Sequence, residues 1–260
     1  MLRVLRNEID FAIRQSMRIR RRGCRLPHES KEGLFEPEAA ALARRLVKTY
    51  GLQAWEAVSG RTDFAASLSY LQMLELALTE SGATLPPVVN ALDAGCGDWF
   101  YVQALYGLLR RYKAPAPRAV TLLGVEVDAY QPYAGFRARI DWAEAFAEEA
   151  EGATYRAADI RDIDGQYDMA FMLFPFLFAR DLRRWGLPER YLRPEEYLVH
   201  VAAMVRPGGW LVIANVGDAE RAEQHRLLAA CGLPVAWWGR HQSPLTPLQQ
   251  PRYVTVVPCR

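Results

Sequence analysis

The sequence predicts an α/β fold: seven strands in a mostly parallel sheet with an antiparallel hairpin at one edge, preceded by a helical segment. Three observations carry this. From about residue 88 onward, short β-branched runs alternate with amphipathic stretches, the pattern of strands crossed over by helices. Residues 1 to about 85 carry helical periodicity without such runs. The last two apolar runs have no helix-length segment between them, which leaves antiparallel pairing as the short connection.

In chain order, Leu5, Ile9, Ile13 and Met17 recur every four residues and predict a helix packed by that apolar stripe, with arginines crowded around it. A second helix is expected from Pro37, which suits a first helical position, to Gly51, with Ala41, Leu42, Leu46 and Val47 facing inward. A third runs from about Phe64 to Glu80 and ends at Gly82. Leu85-Pro86-Pro87 marks the boundary, so residues 1–85 are expected to form a helical cap and residues 86–260 the α/β domain.

VVNALDA (88–94) reads as a buried strand, Trp99 to Tyr112 as a helix, VTLLGVEV (120–127) as a strand, and Pro132 to Ala150 as a helix closed by Gly152. ATYRA (153–157) and YDMAFMLF (167–174) follow as strands, the latter apolar enough to be central. A helix over Glu195 to Val205 turns through RPGG (206–209) into the strand WLVIANV (210–216). Asp218 is the expected cap of a helix reaching Cys231 and stopping at Gly232, and VAWW (235–238) and RYVTVV (252–257) form the closing hairpin.

Composition narrows the function classes. At 260 residues, 51% hydrophobic and 24% charged, the chain can bury a full core, and disorder is excluded. Its net charge of +2 predicts neither a nucleic-acid binder nor a membrane-surface protein from the whole-chain balance, so any basic function must be local. The longest near-apolar run, Met169 to Ala179, is interrupted by Pro175 and falls short of the roughly 20 residues of a membrane span. Charged residues interrupt the N-terminus, so no export signal is read, and Cys24, Cys96, Cys231 and Cys259 lack metal-ligand spacing. A reducing cytoplasm and no metal are the expectation.

The segment DAGCGDWF (93–100) follows a buried strand and precedes a helix, which is where an open α/β sheet binds its ligand. Gly95 and Gly97 permit a tight turn and close backbone approach to a small molecule. Glu126 closes the second strand, and its two carboxylate oxygens can accept from both hydroxyls of a ribose. Asp159 follows the third strand. Three acids therefore end three successive strands.

These residues resemble the class I S-adenosylmethionine-dependent methyltransferases over about residues 88 to 257. ALDAGCGD stands as the glycine-rich first motif, GVEVD as the acidic end of the second strand, AADI as the adenine-side motif, YDMAFMLF as the fourth strand, and RPGGWLVI as the approach to the fifth. The resemblance implies a Rossmann-like seven-stranded sheet whose last strand is antiparallel, with S-adenosylmethionine as methyl donor. By position, the donor-binding residues would be Asp93, Ala94, Gly95, Cys96, Gly97, Glu126, Val127, Asp159, Ile160 and Leu173. Gly95 and Gly97 would approach the amino-acid part, Glu126 the ribose, and Asp159 with Ile160 the adenine. One departure is Trp99, where many relatives have a third glycine. It also weakens a dinucleotide reading, since GxGxxG needs glycine where Phe100 stands.

No catalytic base stands out. A sulfonium methyl is already activated, so alignment of the acceptor can suffice. LFPFLF (173–178) lacks the polar residue that amine-methylating relatives place after the fourth strand. Among the histidines, His200 and His225 fall within helices, His28 lies in the N-terminal segment, and His241 follows the sixth strand on the ligand side as a weak catalytic candidate. Phe174, Phe176, Phe178, Trp237 and Trp238 are the expected acceptor wall.

The expected function is methyl transfer to a small-molecule acceptor in a closed apolar pocket. Two rivals are an RNA or other macromolecule methyltransferase docking through the arginine-rich first helix, and a non-catalytic donor-binding protein of the same fold. Residues 1–25 carry eight arginines against two acids, a local balance of +6.

Overall fold

A computed structural model describes residues 2–247 and 249–259. Its sheet has the strand order β3-β2-β1-β4-β5-β7-β6, with β1 Val88–Ala94, β2 Ala119–Glu126, β3 Ala153–Ala157, β4 Tyr167–Leu173, β5 Val205–Val216, β6 Trp237–His241 and β7 Arg252–Pro258. Strands β1 to β5 pair in parallel, while β7 is antiparallel to both β5 and β6. The edge hairpin expected from the sequence is present, with β6 shifted two residues along and Ala236 N–H already donating to the Val256 carbonyl ahead of it.

Helices α2 (Pro37–Tyr50), α3 (Gln53–Val58), α4 (Arg61–Glu80), α5 (Val102–Arg111) and α6 (Arg139–Ala147) pack with one face of the sheet around a large core. Helices α8 (Pro194–Ala203) and α9 (Gly217–Ala230) cover the other. Helix α4 bridges α5 and the β6–β7 hairpin. The first helix, α1 (Leu2–Met17), and the short α7 (Ala179–Arg184) share a smaller cluster with Phe11, Leu182 and Leu187 at its centre.

Several expectations are corrected, each for a local reason. In α2 the buried residues are Ala39, Ala43, Leu46, Val47 and Tyr50, and Ala41 faces solvent. Helix α5 begins at Val102 and not Trp99, because Trp99 holds a left-handed φ of 59° that no α-helix accommodates. The stretch from Pro132 holds only a kinked 3₁₀ turn, Ala134–Phe136, before α6 begins at Arg139, since Gly135 and Phe136 are both left-handed and bend the chain so that Pro132 pairs with Ala138. RPGG (206–209) belongs to the start of a 12-residue β5, where a register shift absorbs it. Asp218 does not cap α9. Glu220 accepts from Val216 N–H at 2.7 Å there, and Asp218 accepts from the Tyr253 hydroxyl.

The largest correction concerns α1. Leu5, Ile9, Ile13 and Met17 are 58%, 50%, 50% and 61% exposed, while Asn7 and Phe11 on the opposite side are buried. The helix is held by polar contacts with distant residues. Asn7 Nδ2 donates to the carbonyls of Arg183 and Leu187, and Gln15 Nε2 to that of Val127. Arg14 makes two hydrogen bonds to the buried Asp128 carboxylate at 3.0 and 2.9 Å. A salt-bridged polar side chosen over an apolar stripe is the reverse of the usual amphipathic docking.

Candidate ligand site at the carboxyl edge of the sheet

The site grows from the turn after β1. Gly95 and Cys96 N–H both donate to the Val125 carbonyl, which hooks the turn onto β2. Gly95 and Gly97 adopt φ of 80° and 63°, and a Cβ built on either would meet no heavy atom within 4 Å. The turn therefore presents bare backbone to open space, the shape that a closely approaching small molecule needs.

Glu126 ties this turn to the end of β2. Its carboxylate accepts from Gly97 N–H at 3.0 Å through one oxygen and from Asp128 N–H at 2.8 Å through the other. Each oxygen keeps a second lone pair for a ligand hydroxyl. Arg139 Nη1 lies 4.0 Å from both the Glu126 and Asp128 carboxylates, and its guanidinium sits over the Trp185 ring. Two buried acids are thus matched by the buried Arg139 and the half-buried Arg14, the condition under which charges persist inside a protein. Tyr155, from β3, reaches back to donate its hydroxyl to the Gly97 carbonyl.

Asp93 has a different role from its neighbours. It is fully buried, and one oxygen accepts from Trp99 Nε1 at 2.8 Å and from the Tyr101 hydroxyl at 2.9 Å. Burial pushes its pKa up to about 7 against those hydrogen bonds. The other oxygen has no hydrogen-bond partner among the described residues. Trp99 keeps a left-handed backbone at the position of the missing third glycine, and its indole is buried against Gly124, where a side chain would collide with it at 2.6 Å. It supports the turn from below and does not lie over its open side. Cys96 is buried and its thiol pKa is pushed well up, so it is chemically quiet.

Strands β1, β2 and β3 are adjacent, so Asp93, Glu126 and Asp159 stand side by side at one edge of the sheet. Asp159 caps the 160–162 turn and is gripped by Arg161, whose Nη2 approaches to 2.6 Å. Ile160 is half-buried, its carbonyl taken by His200 Nε2. The Val127 side chain joins Phe11 and Phe176 under α1, so the first helix covers the β2 end of the site. Ala94 and Leu173 complete the edges of β1 and β4.

Sequence reasoning missed two acids here. Asp98, next to Gly97, accepts from the Tyr133 hydroxyl, and burial raises its pKa. Asp63, at the start of α4, is raised first by burial and then by repulsion from Asp98. Two acids close enough to repel one another, one of them next to the glycine turn, concentrate negative charge on this side of the site. Asp98 lies within the glycine motif and was legible there. Asp63 is 35 residues away, and only α4 packing brings it in.

The five aromatic residues expected as one wall do not share one. Phe174, left-handed at φ 64°, meets Tyr70 edge-on; Phe176 turns to Trp185 and α1; Phe178 packs on the α8–α9 side. Trp237 and Trp238 alternate to opposite faces of β6, as consecutive strand residues must, and Trp238 meets His225. What stands beside the glycine turn instead is a stack. Tyr70 lies on Tyr101 with centroids 4.8 Å apart, and the Arg252 guanidinium sits 4.9 Å from the Tyr70 ring and 5.0 Å from Phe174.

His241 is the last residue of β6, pairs directly with Arg252 across the hairpin, and is 2% exposed. Burial and the Arg252 charge hold its pKa down at about 4, although the Ser69 backbone accepts a hydrogen bond from the ring. Its Nε2 has no partner among the described residues. It also lines a cavity of about 220 Å³ with Arg240, Gln242, Ser243, Gln250 and Pro251. His200 and His225 are engaged structurally, with the 160–163 carbonyls and with Thr255, and His28 is exposed.

No protein family and no curated protein matches this sequence. Solved structures match the fold. A magnesium protoporphyrin IX methyltransferase from Synechocystis PCC 6803, with bound S-adenosylmethionine, superposes at a TM-score of 0.50 with 15% identity, over 84% of this chain and 96% of that one. The [4+2]-cyclase SpnF superposes at 0.50 with 14% identity, over 72% and 80%. At such identities the likeness is one of fold: a Rossmann-like sheet with six strands in one direction and β7 reversed.

Proposed function

We propose that this chain, which has the fold of the class I S-adenosylmethionine-dependent methyltransferases, is itself such an enzyme and acts on a small-molecule acceptor. One observation carries the reading: the Glu126 carboxylate joins the open glycine turn to the end of β2, which places paired acceptor oxygens beside bare backbone. This suits a ligand with a diol at one end and a compact charged group at the other.

The donor supplies a methyl group on a positively charged sulfonium. Gly95 and Gly97 would hold its amino-acid end, with Asp98 and Asp63 offering negative charge to a cationic ligand. Glu126 would orient the ribose, and Ile160 with Asp159 would border the adenine once Arg161 releases one of the Asp159 carboxylate oxygens. Helix α1, through Gln15 and Arg14, holds Val127 and Asp128 in place and shuts the β2 end off from water, as part of the N-terminal cap over the catalytic domain. On the acceptor side, the half-buried Phe174, backed by the buried Tyr70–Tyr101 stack, provides aromatic surface for alignment, while Arg252 and the His241 Nε2, without a partner among the described residues, are the polar groups nearest to a hydroxyl or acidic acceptor. This aromatic setting favours a small molecule over RNA, which an open line of arginines would suit better.

The test is calorimetry with S-adenosylhomocysteine, followed by mass-spectrometric detection of methyl transfer from labelled donor to candidate hydroxylated and acidic small molecules. Binding that is lost on Glu126→Ala supports the reading. A folded wild-type protein that binds no S-adenosylhomocysteine ends it.

A further inference from the structure

The helix that caps the candidate site leaves its apolar side uncovered. Leu5, Ile9, Ile13 and Met17 are each at least half exposed, and Ile19, just past the helix, is 63% exposed. At 100° per residue the four helical positions fall within an arc of about 120°, while Asn7 and Phe11 lie at about 200° and 240° from Leu5. The exposure therefore belongs to one continuous stripe. Large aliphatic side chains aligned in this way form a patch of the kind that marks an interaction surface, unlike scattered apolar residues.

The border of the stripe is cationic. Arg14 and Arg20 are committed to Asp128 and to Asp141 with Glu144. Arg3, Arg6, Arg18, Arg21, Arg22 and Arg25 are exposed. Arg6 meets Asp10 only at 3.9 Å, with both side chains more than half exposed. The other five form no ion pair with a carboxylate among the described residues. Glu8, the other acid of this helix, is already engaged by Arg190.

This combination selects its occupant. An apolar stripe edged by exposed guanidiniums, most of them without a carboxylate partner among the described residues, matches a surface that is apolar beneath and anionic on top. A second copy of the chain, paired through the same stripe about a two-fold axis, would bring the same arginines toward one another. We propose that α1 is an interfacial docking helix that lays Leu5, Ile9, Ile13 and Met17 into the headgroup boundary of an anionic lipid bilayer, with the flanking arginines on lipid phosphates. Sixteen residues with Arg3, Arg6, Glu8, Asp10 and Arg14 among them cannot span a bilayer, so the helix lies in the interface. The other side of the same helix holds Val127 and Asp128, which would put the membrane directly behind the lid of the candidate site.

The test is co-sedimentation of the full chain with phosphatidylcholine vesicles, with and without phosphatidylserine, at low and high salt. Binding is expected to the phosphatidylserine vesicles, at least tenfold weaker to phosphatidylcholine alone, and weaker as salt rises. The double variant Ile9→Glu with Ile13→Glu should lose at least tenfold in partitioning while keeping its melting temperature, because both side chains are already in water. Replacing Arg21, Arg22 and Arg25 by glutamine should lose about fivefold per residue. Equal sedimentation with and without phosphatidylserine, or an unchanged partition coefficient in the Ile9 and Ile13 double variant, would overturn the proposal. So would absence of vesicle binding together with a concentration-dependent dimer that the double variant abolishes, which would assign the stripe to self-association.

Discussion

Changing Glu126 to glutamine isolates the group on which the donor reading rests. The substitution preserves shape and removes one acceptor oxygen. In the wild type both oxygens are occupied, by Gly97 N–H at 3.0 Å and Asp128 N–H at 2.8 Å, so the new amide NH₂ must face one backbone donor head-on. The glycine turn or the Val127–Asp128 corner then shifts, and the lone pair that would meet one ribose hydroxyl is gone. A hydrogen bond to a charged group contributes about 1.5–3 kcal/mol. At about 1.4 kcal/mol per tenfold, the Kd for S-adenosylhomocysteine should rise by roughly 10- to 150-fold. Titration calorimetry reads this directly, and a thermal melt on the same sample separates weaker binding from unfolding. A Glu126→Gln protein that melts cooperatively and binds S-adenosylhomocysteine within about twofold of wild type would refute the assignment of Glu126 to the ribose.

Three further outcomes are expected. Arg14→Met strips the fully buried Asp128 carboxylate of its bidentate partner and leaves Arg139 at 4.0 Å as the remaining cation, so a loss of about 3–5 kcal/mol is expected, seen as loss of amide-exchange protection in α1 before global unfolding; unchanged α1 protection would contradict it. The Asp93 pKa is raised on folding, so its contribution to stability is full below the unfolded carboxylate pKa and is lost as pH climbs toward about 7; Asp93→Asn should flatten the melting temperature across that window, and identical pH slopes in the two proteins would sink the argument. The His241 pKa is depressed on folding, so it contributes stability above the ordinary histidine pKa that is lost as pH falls toward about 4; in an Arg252→Met variant the His241 proton resonance should titrate at higher pH than in the wild type, and an unmoved midpoint would remove Arg252 as a cause.

The parts of the molecule legible in the sequence are those determined within a few residues. The runs at 88–94 and 167–173 are strands because short, mainly apolar stretches of that length bury on both faces of a parallel sheet, and the edge run at 153–157 is one through its Thr154 and Tyr155. Gly95 and Gly97 declare a turn because their left-handed backbone is poorly tolerated by other residues, and Glu126 declares a carboxyl-edge acid because the strand before it has a readable end. What tertiary structure decided depends on partners that spacing cannot reveal. Periodicity showed that Leu5, Ile9, Ile13 and Met17 share a side of α1. Which side is buried was set by Asp128, the Val127 carbonyl and the Arg183 carbonyl, more than a hundred residues away, because buried polar groups left unpaired cost more than an exposed aliphatic stripe. Trp99 was visible as a missing glycine, but its left-handed backbone and its bond to Asp93 follow from the room that Gly124 leaves on the neighbouring strand. The pairing of His241 with Arg252 is a matter of hairpin register, and a one-residue slip of β6 against β7 would have turned the His241 side chain to the other face.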